Sequence, residues 1–297
     1  MRAEKLNRDE KGDFITYCKK HRSEIDDSFL YDNDLEKFEP DEDNPTFVIK
    51  ENGVIVAVVS LVMDDYHRSG KNGRFRIFHS EKQDINLYSI LLEEILKYTK
   101  GLNKVFSFVP FVNKELSGIM ENLQFKAERY VFLLMKEIKE RPQITFPEGF
   151  YVRTFESGKD EIEWCKIRNT AFLSLKGNST PITPDMITKQ LSKPDYLEGG
   201  FMFLMHEDKP VGIIRGAKDE YEGEPAIYIG PIAILPEYQG KGLGRQLLRT
   251  MLEYADKLKY KKTVLCVNAE NDKAKELYLK EGFVQVEGVA SYEYHLI

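Results

Sequence analysis

The 297-residue chain is poor in the residues that would commit it to a metal, a disulfide scaffold or a membrane. Its three cysteines, Cys18, Cys165 and Cys266, are odd in number, lie far apart and lack metal-ligand spacing, which argues against a disulfide framework or a zinc site. Reduced thiols and no metal are the expectation. Twelve prolines and 20 glycines are too few for a fibrous or low-complexity chain. No apolar run approaches the ~20 residues of a membrane span, and the opening MRAEKLNRDEKGDF lacks the apolar stretch of a signal peptide. These absences predict a cytoplasmic protein without a membrane partner. Basic clusters are missing as well: the formal charge of −6 offers no face for a phosphate backbone, so no nucleic-acid partner is expected. Mild acidity would suit a cationic amine substrate, but many acidic proteins have none.

What is present is a globular balance of 42% hydrophobic and 31% charged residues, in a chain long enough for two domains of about 100–150 residues. In the C-terminal half, FYVRTF at 150–155 alternates like a strand. Asp160–Leu173 has helical spacing, with Ile162, Cys165, Ile167 and Phe172 as candidate core positions. A second helix is expected from Thr183-Pro184, a capping residue followed by proline at the first helical position. Phe201–His206 and Val211–Gly216 read as a hairpin, and Ala226–Leu235 as a long strand. Leu243, Leu247, Leu248, Met251, Leu252 and Ala255 form one apolar helix face. Thr263–Val267 follows as a strand, Asp272–Lys280 as a helix, and two final strands are expected near Phe283–Val286 and Tyr292–Leu296.

The N-terminal half repeats this rhythm. Phe47–Ile49 and Val54–Met63 flank an Asn52-Gly53 turn, and Arg74–Phe78 reads as the next strand. Then come a helical Ile85–Tyr98, a strand-like Val105–Val109, a helical Asn113–Leu123 and a strand-like Ala127–Met135. A shift of about 158 residues carries Asn113 onto Asn271 and Phe125 onto Phe283, which marks an internal duplication. The Pro-containing stretch Lys139–Glu148 is the expected boundary, giving domains at 1–140 and 148–297. The acidic run Asp32–Asn44 reads as a solvated loop.

The stretch with the most chemistry runs from Ile232 to Arg245, where an apolar strand passes through a glycine-rich turn into an amphipathic helix. Gly240, Gly242 and Gly244 let a phosphate approach the main chain without a Cβ in the way. The first N–H groups of the helix point at an anion placed there. Hydrogen bonds to a charged group contribute about 1.5–3 kcal/mol each, so several amides outweigh the ~0.3–1 kcal/mol of the helix dipole. No Gly-Lys-Ser/Thr follows at Walker spacing, and the G-x-G-x-G spacing is not the dinucleotide fingerprint.

Gln239-x-x-Gly242-x-Gly244 resembles the Q/R-x-x-G-x-G/A acyl-CoA signature of the GNAT superfamily. Asn271-x-x-Ala274-x-x-Leu277-Tyr278-x-x-x-Gly282-Phe283 resembles that family's second cofactor motif. The likeness covers about 150 residues and is concentrated in these two motifs. It implies an α/β fold of tandem GNAT-like domains, each a mixed, mostly antiparallel sheet flanked by helices. It further implies acetyl-CoA as acyl donor, with the backbone of Ile232, Ala233 and Ile234 pairing with the pantetheine arm and polarising the thioester. Gln239, Gly240, Lys241, Gly242, Leu243, Gly244 and Arg245 would hold the pyrophosphate, with Asn271 and Tyr278 completing the cofactor site.

By the same resemblance Tyr278 is the candidate general acid for the departing thiolate. The attacking amine must also lose a proton, because one of pKa ~10.4 is neutral in only about one molecule in 2500 at pH 7. Glu224 and Tyr228 are the candidates to assist, although Glu224 reads equally as a solvated loop residue. Cys266 reads as a small buried hydrophobe and His206 as a surface or edge residue.

The same shift places Asp84 and Asn86 on Gly242 and Gly244, and Met120 on Tyr278. With Glu81 and Asp84 repelling a pyrophosphate, the N-terminal half is expected to be a degenerate domain that binds no acyl-CoA and shapes the substrate cleft or stabilises the chain. Acetylation of the primary amine of a small molecule is the favoured activity. Protein or peptide acetylation and a non-catalytic acyl-CoA sensor are the alternatives, and a homodimer is compatible with the sequence.

Overall fold

The computed structural model describes residues 1–173, 175, 177 and 179–296. They form two compact units: Met1–Tyr130 with Gly288–Ile297, and Val131–Glu287. Among the described residues no helix is long and apolar enough to cross a membrane.

The first unit runs β1 (Glu4–Lys5), α1 (Lys11–His21), α2 (Asp32–Glu36), β2 (Thr46–Glu51), β3 (Val54–Val62), α3 (Asp65–Ser69), β4 (Asn72–Ser80), α4 (Ile85–Leu96), β5 (Lys104–Pro110), α5 (Lys114–Asn122) and the start of β6 (Lys126–Glu137). Its sheet order is β1-β2-β3-β4-β5 followed by the last strand of the chain, β12 (Val284–His295). The second unit adds β7 (Phe150–Thr154), α6 (Glu161–Ala171), α7 (Pro184–Leu191), β8 (Tyr196–His206), β9 (Lys209–Tyr221), β10 (Glu224–Ile234), α8 (Leu243–Lys257), β11 (Lys262–Asn268) and α9 (Asp272–Lys280). Its order is β6-β11-β10-β9-β8-β7. Both sheets are mixed and mostly antiparallel, with a parallel pair at β4–β5 in one and β10–β11 in the other.

The duplication is visible element by element. A shift of 158 positions carries β5, β6, α4 and α5 onto the first residues of β11, β12, α8 and α9. The boundary, however, differs from the one expected at Lys139–Glu148. Each half sends its last strand to the other unit: Val131–Glu137 of β6 pairs antiparallel with β11, and Val289–His295 of β12 pairs antiparallel with β5. The registers are equivalent, Lys262 facing Glu137 and Lys104 facing His295. Two strands of the same apolar pattern can serve either partner, so periodicity alone does not reveal the exchange. The expected linker is instead part of the second unit: Gln246 Oε1 accepts the Thr145 N–H at 2.9 Å, Arg249 donates to the Gln143 carbonyl at 2.9 Å, and Arg141 pairs with Asp256.

Other expectations are refined. The two short C-terminal strands are one strand, Val284–His295. Gly288 lies within it, and the Phe111 ring occupies the space a Cβ there would need. In α6 the buried face runs through Trp164, Cys165 and Ile167, whereas Ile162 is 72% exposed. Trp164 packs tilted against Phe201 and edge-on against Phe203 of β8, and that contact sets the rotation of the helix. Asp32–Asn44 is not wholly a loop: α2 lies in it, and Leu35 and Phe38 are buried beneath the exposed acids.

The expected apolar face of α8 is buried at all six positions. At about 1.5–3 kcal/mol for each large apolar side chain removed from water, this stripe anchors α8 to one face of the second sheet. There it packs with Met202, Leu204, Ile214 and Ile227. On the other face α6 and α7 pack on Phe201, Phe203, Met205 and Ile213. The sheet thus carries separate cores on its two sides, and the strand ends between them hold the glycine turn.

Candidate active site

Two strands that run parallel and then part create the site. The β10–β11 ladder consists of Ala226, Ile227 and Tyr228 against Lys262, Thr263 and Val264. β10 remains paired with β9 as far as Ile234, across a bulge between Ile229 and Ile232 that contains the cis Gly230–Pro231 peptide. Beyond Tyr228 one edge of β10 is therefore released from β11, so backbone groups of Ile232, Ala233 and Ile234 border an opening that an extended ligand can enter by strand-like pairing.

The opening leads to the glycine turn. Gly240 and Gly242 have φ of +77° and +75°, and a Cβ at either would meet nothing within 4 Å. The main chain there is bare on its outer side. Gly242 is the N-cap of α8, with no side-chain cap. Among the described residues, the N–H groups of Gly240 to Gly244 donate to no acceptor, and those of Arg245 and Gln246 share the Gly242 carbonyl at 3.1 and 3.3 Å. Five consecutive free donors at the positive end of a 15-residue helix are the chemistry of an anion site. Gly244 differs from the other two, since it keeps an ordinary helical conformation and a Cβ there would make only a 3.9 Å contact with Leu277.

Several side chains expected at the cofactor have structural tasks. Gln239 Nε2 donates to the Ile234 carbonyl at 2.8 Å and fastens the turn to the strand end. Lys241 lies over the Tyr238 ring at 5.0 Å. Arg245 is ion-paired with Glu281 at 3.1 Å, and Arg249 grips the same carboxylate at 2.7 and 2.9 Å. The two guanidiniums and one carboxylate leave a net positive charge beside the turn. Leu243 is buried in the core. Asn271 is the N-cap of α9, its Oδ1 accepting the Ala274 N–H at 3.3 Å. Asn113 caps α5 in the same way, so capping accounts for the asparagine in both halves.

Tyr278 is 9% exposed on α9, packed in the core beside Phe283. Burial pushes its pKa up to about 12, so the phenol keeps its proton at neutral pH. Full transfer to a thiolate of pKa near ~8.5 is uphill for such a group, and its natural contribution is a hydrogen bond to the departing sulfur.

The other three candidates separate. Tyr228 lies where the ladder ends, its pKa raised by burial and by a hydrogen bond with Cys266. Cys266 is exposed rather than buried as expected. It sits two residues beyond the last β10–β11 pair, where β11 has lost its neighbour on that side. Arg215 and Asp219 on β9 also face Tyr228. Tyr228 pairs with Ala217, and residues two positions either side of Ala217 share its face. Sequence reading missed Arg215 and Asp219 because that register is non-local; Arg215 is held by Asp195 at 2.6 Å. Glu224 is not brought to this group. It begins β10 at the end opposite the glycine turn, half-exposed and paired with Lys262 at 3.0 Å. His206, expected at a surface or an edge, is instead part-buried at the end of β8, paired with both β7 and β9 and stacked on Phe150 at 4.3 Å.

Part of the chain is similar in sequence, and the whole in fold, to known proteins. Residues 163–283, from α6 to the close of the second motif, match the model of the acetyltransferase (GNAT) family. A mycothiol acetyltransferase from Geodermatophilus obscurus is 29% identical over 153 residues, 50% of this chain and 49% of the relative. One from Renibacterium salmoninarum is 26% identical over 175 residues, 57% and 51% of the two chains. The chain spans about half the length of these curated relatives. Among solved structures, a GCN5-related N-acetyltransferase from Sphaerobacter thermophilus has a TM-score of 0.72 at 16% identity, over 99% of this chain and 95% of that one. A tandem GNAT protein from the clavulanic acid biosynthesis pathway has a TM-score of 0.72 at 11% identity, over 99% and 98%. At these identities the likeness is one of fold.

Proposed function

We propose that this chain, whose residues 163–283 match the model of the acetyltransferase (GNAT) family, transfers an acetyl group from acetyl-CoA to the primary amine of a small molecule. The observation that carries the reading is the coincidence of the parted β10–β11 strands with five free amide donors at the start of α8. The opening suits a pantetheine arm, and the donors suit a pyrophosphate. The thioester would lie between them and Tyr278, where the acceptor amine attacks the carbonyl directly and the phenol supports the leaving sulfur. Tyr228 and Arg215, on the α6–α7 side of the sheet, are the candidates to contact the acceptor. The names of the curated relatives favour a small-molecule acceptor. In this reading the first unit binds no acyl-CoA.

The test is calorimetric titration of the full chain with acetyl-CoA, followed by an amine screen that detects the released thiol. One site per chain and turnover with a small amine support the proposal. Turnover with peptides alone would redirect it to protein acetylation. Binding without turnover of any amine would indicate a sensor, and two sites per chain would overturn the assignment of the first unit.

A further inference from the structure

The first unit contains a cluster that none of this chemistry uses. His21 closes α1, Glu24 lies three residues further in the following turn, and His79 stands near the end of β4. Both imidazoles are buried, with ring centroids 4.5 Å apart, whereas the Glu24 side chain is 47% exposed. The Glu24 carboxylate lies between them: Oε1 is 2.7 Å from His21 Nδ1 and Oε2 is 3.2 Å from His79 Nε2. One donor atom from each residue falls within 4.8 Å of the others.

We propose that His21 Nδ1, His79 Nε2 and the Glu24 carboxylate bind one divalent transition-metal ion of the zinc class. Donors at zinc distances in a tetrahedron are about 3.3 Å apart, so small side-chain adjustments open the present spacing to that of a ligand set. The outer nitrogens carry the stronger argument. His21 Nε2 is 3.1 Å from Glu81 Oε1, and His79 Nδ1 is 2.8 Å from the Tyr17 hydroxyl, which in turn donates to the Val56 carbonyl at 3.1 Å. With a metal on the inner nitrogens, each imidazole donates its remaining N–H outward, to a carboxylate and to a hydroxyl oxygen. That arrangement fixes tautomer and ring orientation in metal sites. Lys20 secures Glu81 at 2.6 Å, and Asn113 Nδ2 holds the Glu24 carbonyl at 2.8 Å, so both supports are anchored. Two imidazoles and a carboxylate suit zinc better than soft copper(I) or hard calcium. The exposed side of Glu24 leaves a position for water, and the ion would tie α1 and its turn to the end of β4. The three residues are separated by up to 58 positions, which is why sequence spacing pointed to no metal.

The experiment uses the full chain with Cys266→Ser, stripped by chelator and titrated with Zn2+ by calorimetry and with Co2+ by visible absorption. One equivalent of either ion is expected, the cobalt form showing the intense bands of a low-coordinate site. Glu24→Gln, half-exposed and tolerable to the fold, and His21→Gln should each weaken Zn2+ binding by more than about 100-fold. Glu81→Gln, which removes only an outer partner, should weaken it by about 10-fold. Absence of binding by the stripped protein overturns the proposal and leaves a hydrogen-bonded histidine pair. Undiminished affinity in both Glu24→Gln and His21→Gln also overturns it, since the ion would then lie elsewhere.

Discussion

The two units make the same strand-to-helix turn and finish it in opposite ways. In the second, Gly242 caps α8 with no side chain, and the amides from Gly240 to Gly244 donate to nothing among the described residues. In the first, Asp84 caps α4: its carboxylate takes the N–H and the side-chain amide of Asn86 at 2.9 Å, and its carbonyl takes Leu87 and Tyr88. Glu81 adds a second carboxylate, paired with Lys20. The ladder before the turn is alike in both, since β4 and β5 pair only over Asn72–Arg74 and Lys104–Phe106 before parting. The strand-and-helix framework is therefore present twice, while among the described residues the run of five donors without an acceptor is found in the second unit. An aspartate cap stabilises a helix by satisfying the same groups an anion would need, so capping and anion binding compete for one resource.

The largest expected effect comes from imposing the first unit's chemistry on the second. Gly242→Glu places a carboxylate and a Cβ at a left-handed position, and acetyl-CoA binding should fall by more than about 100-fold through lost charge-assisted hydrogen bonds of about 1.5–3 kcal/mol each. Calorimetry reads this directly, and retained binding would show that the amides are not the anion site. Next is Tyr278→Phe, which brings that position closer to Met120, a side chain with no proton to give. Turnover should drop by about 10²–10⁴-fold with acetyl-CoA affinity nearly unchanged. Because Tyr278 holds its proton to about 12, kcat/KM should rise with deprotonation of the acceptor amine and show no Tyr278-dependent decline below about pH 10. A falling limb that Tyr278→Phe abolishes would contradict that protonation state.

A smaller effect separates capping from cofactor contact. Asn113→Ala and Asn271→Ala should each destabilise by about 1 kcal/mol in denaturant unfolding. A loss of acetyl-CoA affinity confined to Asn271→Ala would show that this residue also touches the ligand. The gentlest test is chemical. Cys266 is exposed where β10 and β11 part, whereas burial pushes the thiols of Cys18 and Cys165 up to about 12 and 11. A thiol reagent should label Cys266 first, and acetyl-CoA should slow that labelling. Equal rates with and without acetyl-CoA would place the ligand elsewhere.

Much of this arrangement is legible in the sequence. The α8 stripe, the Thr183-Pro184 helix start, the Asn52-Gly53 hairpin and the duplication at 158 residues are local or periodic signals, and each of these elements formed where expected. Within the candidate site, the glycine turn and the buried Tyr278 were readable because their motifs are contiguous. Glu224 was a candidate to assist the amine or equally a solvated residue; it begins β10 at the end away from the glycine turn, and position along a strand does not say which end faces the chemistry. Cys266 was expected inside because alternation assumes a covered face, and here the covering strand diverges.

The sequence by itself determined the elements, their repetition and the two turns, since backbone propensity, capping and helical periodicity act over a few residues. Only the tertiary structure decided which strand closes each sheet, where the β10–β11 ladder ends, and that His21, Glu24 and His79 meet. Those outcomes depend on pairing between segments remote in the chain. There the free energy comes from register and burial against a partner, and no local pattern specifies the partner.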